Sequence, residues 1–517
     1  MDLRPAALPA KSASRRAASI RDLAGWDRAY PASAISIQNA WLVAGRTAAD
    51  RKIAIGYPAG KRPRWLPALR GVEKSADGGA VLLLEGDHAT LLALRQALPH
   101  LAPRAAGTTP SFGFGDRTGL ATPGHLASLG KSGFFPVLAQ QSTREMTRTQ
   151  RTPDEVMDAA VFGVLQAGWV AGWGADADHL KTPEEIRRTA DAGFVMFTLD
   201  AADFVEDRAG QRSDADLAAA YARILAEVPG AKGWEKAYDG KLFKGGGRAF
   251  REAAVKYGRA IQHWVTLEKA ARQATRGRDC EIEVSGDETS TPTSPAEHRF
   301  IVRELQARGV KLFSLAPRFL GDFEKGIDYK GDLKAFAASA EEHAAIARSL
   351  GGYKISVHSG SDKFSIYPAV ARATKGRFHL KTAGTSWLEA LRAVARKDPA
   401  LFREVVDYSR GRFAQDSASY FISGRPEDVP PPAELDDAGL ERVYLDENAG
   451  RQVLHVTYGS VLTLQEGGAF RFRNRIFDLL ARKEETYFEC LEKHLGRHVK
   501  GLVVKAAKKR ATAGARR

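Results

Sequence analysis

Three histidines and several acids in this chain follow or interrupt short apolar runs, close to where each run breaks into glycine, serine or charged residues. Asp178 and His179 close Gly172-Trp-Gly-Ala-Asp-Ala-Asp-His, His358 follows Tyr353-Lys-Ile-Ser-Val, and His379 lies in Arg377-Phe-His-Leu-Lys381. Imidazoles brought together from separate strands suit Mn, Fe, Co, Ni or Zn. Adjacent residues of a regular strand face opposite ways. Asp178 as a base and His179 as a ligand therefore require a strand end that is already turning. Glu281 and Glu283 share one face of Cys280-Glu-Ile-Glu-Val-Ser285, and Ile282 and Val284 share the other. A carboxylate in a core is costly unless it is paired, metal-bound or protonated. Glu283, nearer the C-terminal end, is expected as general acid or metal ligand, and Glu281 as the partner of a Lys or Arg. Asp287 and Glu288, in the following turn, compete for the first role or cap the next helix. Arg117, Arg318, Lys363 and Lys381 each follow a strand and together favour a carboxylate or phosphate on the substrate. Gln140, in the turn after Pro136-Val-Leu-Ala139, joins them as a candidate substrate-binding residue.

These residues need a scaffold that collects strand ends. From Ser111 onward the chain repeats one plan eight times: a short apolar strand, a polar or glycine-rich turn, and a helix. Several helices carry a start signal, at Thr152-Pro-Asp-Glu155, Thr182-Pro-Glu-Glu185, Ser294-Pro-Ala-Glu297 and Ser386-Trp-Leu-Glu389. Parallel strands need crossover helices, and an eighth strand can close on the first, so the expected fold is α/β, a (β/α)8 TIM-like barrel. An open doubly wound sheet is the alternative. In a barrel the residues after each strand meet on one face, where sites of this fold lie. The expected organisation is a loose N-terminal tail (1–30), a small α/β region (31–104), the barrel (105–412), a C-terminal helical extension (413–499) and a basic tail (500–517). The last helical segment is expected to pack beside the barrel or on a partner subunit in a homo-oligomer.

Composition limits the remaining classes. The 517 residues carry a formal charge of +15, much of it at the two ends. Such runs read as solvated tails with no specific nucleic-acid role. No apolar run is long enough to span a membrane and no signal core opens the chain, so a cytoplasmic protein is expected. Two cysteines are too few for a disulfide framework or a thiolate metal site. Gly113-Phe-Gly-Asp-Arg-Thr-Gly119 spaces its last glycine too far for a dinucleotide fingerprint, and no P-loop occurs, so neither NAD nor ATP is indicated.

Longer motifs are more specific. Ser111-Phe-Gly-Phe-Gly-Asp-Arg, Leu138-Ala-Gln-Gln-Ser, Gly174-Ala-Asp-Ala-Asp-His, Asp287-Glu-Thr-Ser-Thr-Pro-Thr-Ser-Pro, Glu324-Lys-Gly-Ile-Asp-Tyr-Lys-Gly-Asp, Lys354-Ile-Ser-Val-His-Ser-Gly-Ser-Asp-Lys-Phe, Phe378-His-Leu-Lys-Thr-Ala-Gly-Thr-Ser and His455-Val-Thr-Tyr-Gly-Ser closely resemble the tagaturonate/fructuronate epimerase family. The resemblance runs from about Ala105 to about Val499. It implies a divalent-metal-dependent interconversion of the sugar acids D-tagaturonate and D-fructuronate in bacterial hexuronate catabolism. It further implies Asp178 as proton acceptor, Glu283 as proton donor and His179 as a metal ligand. His358 is the second expected ligand, and the third is His379 or a carboxylate. The two ketose acids differ at C4, counting the ketone as C2, so enolisation alone cannot invert that carbon. A retro-aldol route can, and it needs a base and an acid on opposite sides of the substrate.

Overall fold

The computed structural model describes residues 3–48, 50–76, 78–244 and 247–503. Of the expected basic tail, residues 504–517 lie outside the described residues. The N-terminal part is an antiparallel sheet in the spatial order Ala6–Ala7, Ile35–Ile37, Ala40–Thr47, Asp50–Pro58, Gly79–Glu85 and Val72–Ala76, with Arg28–Ala29 pairing beside Ala40–Thr47. The central strands are covered on both faces, whereas the edge strand Val72–Ala76 is exposed. Val43, Ala54 and Val81 pack under a helix at Ala10–Ala24, while Leu42, Ile53, Ile55, Leu82 and Leu84 join the main core. The segment expected to be a loose tail is therefore ordered. Ala13, Ala17 and Ile20 recur at helical spacing and are buried, a stripe whose small residues carry little apolar signal among Arg and Ser.

Nine short strands form the second sheet, numbered in chain order: β1 Ser111–Phe114, β2 Phe135–Val137, β3 Gln141–Ser142, β4 Asp176–Leu180, β5 Met196–Asp200, β6 Glu281–Gly286, β7 Ser314–Pro317, β8 Lys354–Val357 and β9 Phe378–Thr382. Their spatial order is β3-β4-β5-β6-β7-β8-β9-β1-β2, and every neighbouring pair is parallel. The sheet curls. Between β2 and β3 the chain bonds to the segment that enters β4. The Gly174 N–H donates to Pro136 O (2.8 Å), the Leu138 N–H to Gly174 O (2.9 Å) and the Asp176 N–H to Ala139 O (3.2 Å), around a parallel bridge from Val137 to Gly174.

Helices follow the strands, and the start signals at Thr152, Thr182 and Ser294 are reciprocal capping boxes. The expected box at Ser386 is not one. That helix, Thr385–Lys397, starts two residues earlier than such a box requires, from Gly384 and without a side-chain cap. Ser386 Oγ instead meets His125 Nε2 at 2.7 Å, and Glu389 is buried against Arg392. Beyond it, helices Asp437–Leu445, Asn448–Val456, Arg473–Arg482 and Glu484–Leu502 pack on Thr385–Lys397, and the last also packs on Thr122–Leu129. The final helical segment thus lies against its own chain. Among the described residues no helix is long and apolar enough to cross a membrane.

Candidate active site

Strand β4 carries Asp176, Asp178 and His179. Its register against β5 shifts between Ala177 and Leu180, where His179 takes the left-handed conformation at φ 51°, uncommon for a side chain of this size. The kink turns two sequence neighbours toward the same cavity, so both Asp178 and His179 line it. Here lies the turning strand end that the adjacent pair requires.

Lys381, from β9, is the electrostatic centre of the site. Its Nζ lies 2.8 Å from Asp176 Oδ2, 2.7 Å from Asp178 Oδ1 and 2.7 Å from Glu283 Oε1. Burial disfavours its charge, but the three carboxylates override this and hold its pKa well above the usual lysine value. Burial likewise opposes ionisation of Asp178 and Glu283, and Lys381 overrides it in both, assisted by His179 at Asp178 and by His358 at both, so both are carboxylates far below their ordinary pKa. Asp176, with no exposed surface, differs. Burial and the two neighbouring carboxylates push it up to about 6 against the pull of Lys381. Gln140 Nε2 donates to Asp178 Oδ2 at 2.8 Å, and the Ser314 hydroxyl donates to Glu283 Oε2.

His358 bridges two acids, with Nε2 at 2.7 Å from Glu283 and Nδ1 at 2.9 Å from Asp287. Despite burial, Asp287 and Glu283 carry its pKa up to about 9. His179 stands 5.0 Å away, ring centre to ring centre, with Nδ1 at 3.3 Å from Asp200 Oδ2. Burial lowers its pKa, but Asp178 and Asp200 raise it to about 10. Two imidazoles in a field of carboxylates carry protons that a cation would replace. Among the described residues, the side-chain groups compact enough to share an ion are His179–Asp287–His358, His179–Asp200–Glu288 and Asp362–His494–His498, each with donor atoms within 4.8 Å of one another.

His379 belongs to none of these groups. It lies deeper in the sheet, in register with Ser111 and Ser356, and its Nδ1 is hydrogen-bonded with Ser111 Oγ at 2.9 Å. Burial lowers its pKa to about 3. Glu281, expected beside a Lys or Arg, accepts from the Gly107 N–H at 2.7 Å and is attracted by Lys354, but burial dominates and pushes it up to about 7. Arg117 lines the cavity but is committed to Glu145, at 2.7 Å, and stacks 3.5 Å above Tyr458. Lys363, expected to meet an anionic substrate, is fully buried, with its ammonium spent on the carbonyls of Glu324, Ile327 and Ser361. Arg318 lies in an adjoining outer cavity and donates to the carbonyls of Phe319 and Gly321.

Lys325, Arg144, Tyr420 and His455 also line the inner cavity, and no strand-end signal in the sequence marks them. His455, from helix Asn448–Val456, reaches the site because Gly384 has no side chain. A Cβ there would stand 1.9 Å from the imidazole. The C-terminal extension is therefore a wall of the site.

Comparison with known proteins agrees with this assembly. The family model described as tagaturonate epimerase matches residues 30–502. The tagaturonate/fructuronate epimerase of Thermotoga maritima is 43% identical over 434 residues, covering 83% of this chain and 88% of that protein. The native crystal structure of the fructuronate-tagaturonate epimerase of Cohnella laeviribosi superposes with a TM-score of 0.86 at 37% identity, covering 95% of this chain and all of that one. A crystal structure of the same enzyme with one glycerol gives 0.85 at 36%. With the match spanning the N-terminal sheet, the nine parallel strands and the C-terminal helices, the chain belongs to the tagaturonate epimerase family.

Proposed function

We propose that this protein interconverts D-tagaturonate and D-fructuronate by inverting C4. The observation that carries the reading is the Asp178–Lys381–Glu283 cluster, in which two carboxylates share one ammonium beside a histidine-carboxylate group. Asp178 takes the proton of the C4 hydroxyl as the C3–C4 bond breaks. The bonding pair remains with the C1–C3 fragment, and C4 becomes an aldehyde carbon. The aldehyde fragment turns, C3 attacks its other face, and the new C4 alkoxide takes a proton from the Glu283 side. Lys381 lies 2.7 Å from each carboxylate. A proton gained by Asp178 thus has a path to Glu283 that needs no solvent, and the pair exchanges roles with direction.

His179, His358 and Asp287 fit a divalent cation as two borderline nitrogen donors and one oxygen donor. Asp200 on the other ring nitrogen of His179 orients that ligand. This favours the carboxylate over His379 as third ligand. When bound, a cation of the Mn, Fe, Co, Ni or Zn class would supply Lewis acidity that stabilises the negative charge left on the C1–C3 fragment. The (β/α)8 reading is part of the proposal, supported by the Pro136–Ala139 bonds to Gly174 and Asp176, which link the two ends of the strand order. A cytoplasmic setting accompanies it, with Cys280 and Cys490 both free.

The test is conversion of D-tagaturonate by purified protein, before and after chelation and after restoring Mn, Co, Ni or Zn. The substrate carries deuterium at C4. Chelator-sensitive conversion to D-fructuronate with the label retained is expected. Loss of the label would exclude the retro-aldol step, and no conversion by folded, metal-loaded protein would exclude the activity.

A further inference from the structure

We infer that Lys325 binds the carboxylate of the substrate and holds it while the aldehyde fragment turns, an inference that rests on the hexuronate reading above. Most cations at the site are already committed. Lys381 faces three carboxylates, Arg117 is bonded to Glu145, Arg144 stands 3.6 Å from Glu288, and Arg318 is bonded to carbonyls. Among the described residues Lys325 makes no ion pair, and its Nζ meets the Ser359 hydroxyl alone. It lines the same cavity as Asp178, His179 and His358.

The surroundings of Lys325 are built to hold its backbone and leave its ammonium available. The preceding residue, Glu324, is only 3% exposed. Its carboxylate accepts from Lys330 Nζ (2.8 Å), from the Ser423 N–H and hydroxyl (2.7 Å each) and from Gln452 Nε2 (2.8 Å). Lys363, buried beneath the loop, donates to Glu324 O at 2.7 Å and to Ile327 O at 2.5 Å. Arg451 Nε donates to Gly326 O at 2.7 Å, and Gln452 Nε2 to Lys325 O at 3.2 Å. Lys363, Lys330 and two side chains of helix Asn448–Val456, Arg451 and Gln452, thus fix a short loop that leaves the Lys325 ammonium without an ion-pair partner among the described residues. A buried lysine bonded only to carbonyls is explained if its task is to shape this loop.

The chemistry of the substrate gives that ammonium a purpose. The carboxylate is C6, two carbons beyond the inverted centre. Once C3–C4 breaks, C4–C6 is a three-carbon aldehyde acid with no covalent link to the rest, and it must turn without leaving. A lysine ammonium is a compact charge with three rotatable donors, whereas an arginine fork fixes a carboxylate in one plane. Lys325 can therefore keep its contact as a pivot throughout the turn.

The experiment compares Lys325→Met and Lys325→Arg with the unsubstituted protein on D-tagaturonate, and measures inhibition by L-glycerate, a mimic of the C4–C6 fragment with the configuration of C5, and by neutral glycerol. Lys325→Met is expected to lose about 10- to 100-fold in kcat/KM and to weaken L-glycerate by a similar factor, the size of one charge-assisted contact, without altering glycerol. Lys325→Arg is expected to keep L-glycerate inhibition and lose about tenfold or more in kcat. A folded Lys325→Met that L-glycerate still inhibits equally would overturn the inference, as would a Lys325→Arg with undiminished kcat for the pivot. Failure of the unsubstituted protein to convert D-tagaturonate would instead overturn the hexuronate reading. L-Glycerate binding, followed by thermal shift, would still test the lysine.

Discussion

Replacing Lys381 with Met removes the only cation within ion-pair distance of Asp176, Asp178 and Glu283 among the described lysines and arginines. Three carboxylates, two of them with no exposed surface, are then left together. Breaking a buried pair by deleting one partner costs about 3–5 kcal/mol. Unfolding entropy is about 2 cal/mol/K per residue, so a chain of 517 residues unfolding as one unit has about 1 kcal/mol/K, and the melting temperature should fall by about 3–5 °C. The pH dependence is more diagnostic than the size. In the unsubstituted protein Asp178 and Glu283 are held below their unfolded pKa. Their contribution is therefore present above about pH 4 and lost as pH falls. In Lys381→Met burial and mutual repulsion of the three carboxylates are opposed only by His179 and His358, so their folded-state pKa values rise relative to the parent and the variant should lose stability progressively as pH rises and these groups ionise. The gap in melting temperature should widen steadily from pH 5 to pH 8. Scanning calorimetry of both proteins in chelator measures it, since no metal can then stand in for the ammonium. Parallel curves, or a variant as stable as its parent at pH 8, would refute the assignment of Lys381 as the shared counter-ion.

Asp178→Asn and Glu283→Gln should each lower kcat by about 10²–10⁴ with a smaller change in KM, as loss of a proton-transfer group does; steady-state kinetics in both directions checks this, and unchanged kcat in either variant removes that residue from the proton path. Asp287→Asn should lower bound metal, read by elemental analysis after dialysis, whereas His379→Gln should leave the metal content unaltered. The reverse result would restore His379 as the third ligand.

The strands and their helices were legible because each is local. Ile282 and Val284 against Glu281 and Glu283 define β6 by period, and Thr152, Thr182 and Ser294 announce their helices by the Glu three residues later. The cluster of Asp178, Glu283, Lys381, His179 and His358 was legible because strand ends of such a sheet must meet. What the sequence could not tell was which cations are free. Lys363 and Lys325 look alike in a string of residues, yet one is spent on three carbonyls and the other faces the cavity. That difference is set by loops far apart in sequence. His379 could not be ranked against a carboxylate as third ligand, because a strand sequence gives no depth along the sheet and His379 lies below the His179–Asp287–His358 group. Ser386 was read as a cap because Glu389 has the right spacing, but Glu389 is claimed by Arg392 and His494. The Ala10–Ala24 helix escaped because alanine packs closely while contributing little hydropathy.

Asp362, in the turn after β8, is held by Arg451 at 2.8 Å and meets His494 and His498 of the last helix. Translation delivers all nine strands to the solvent well before it delivers those three partners. A nascent chain stopped after β9 would own Asp178, Glu283, Lys381, His179, His358 and Asp287, yet lack the side chains that clamp the turn carrying His358 and the loop carrying Lys325. Completion of the site is thus deferred until helix Glu484–Leu502 has been made. For the same reason, a single proteolytic cut between Lys397 and Arg451 that freed the C-terminal helices would strip partners from Asp362 and a wall from the cavity, besides part of the core they share with the parallel sheet.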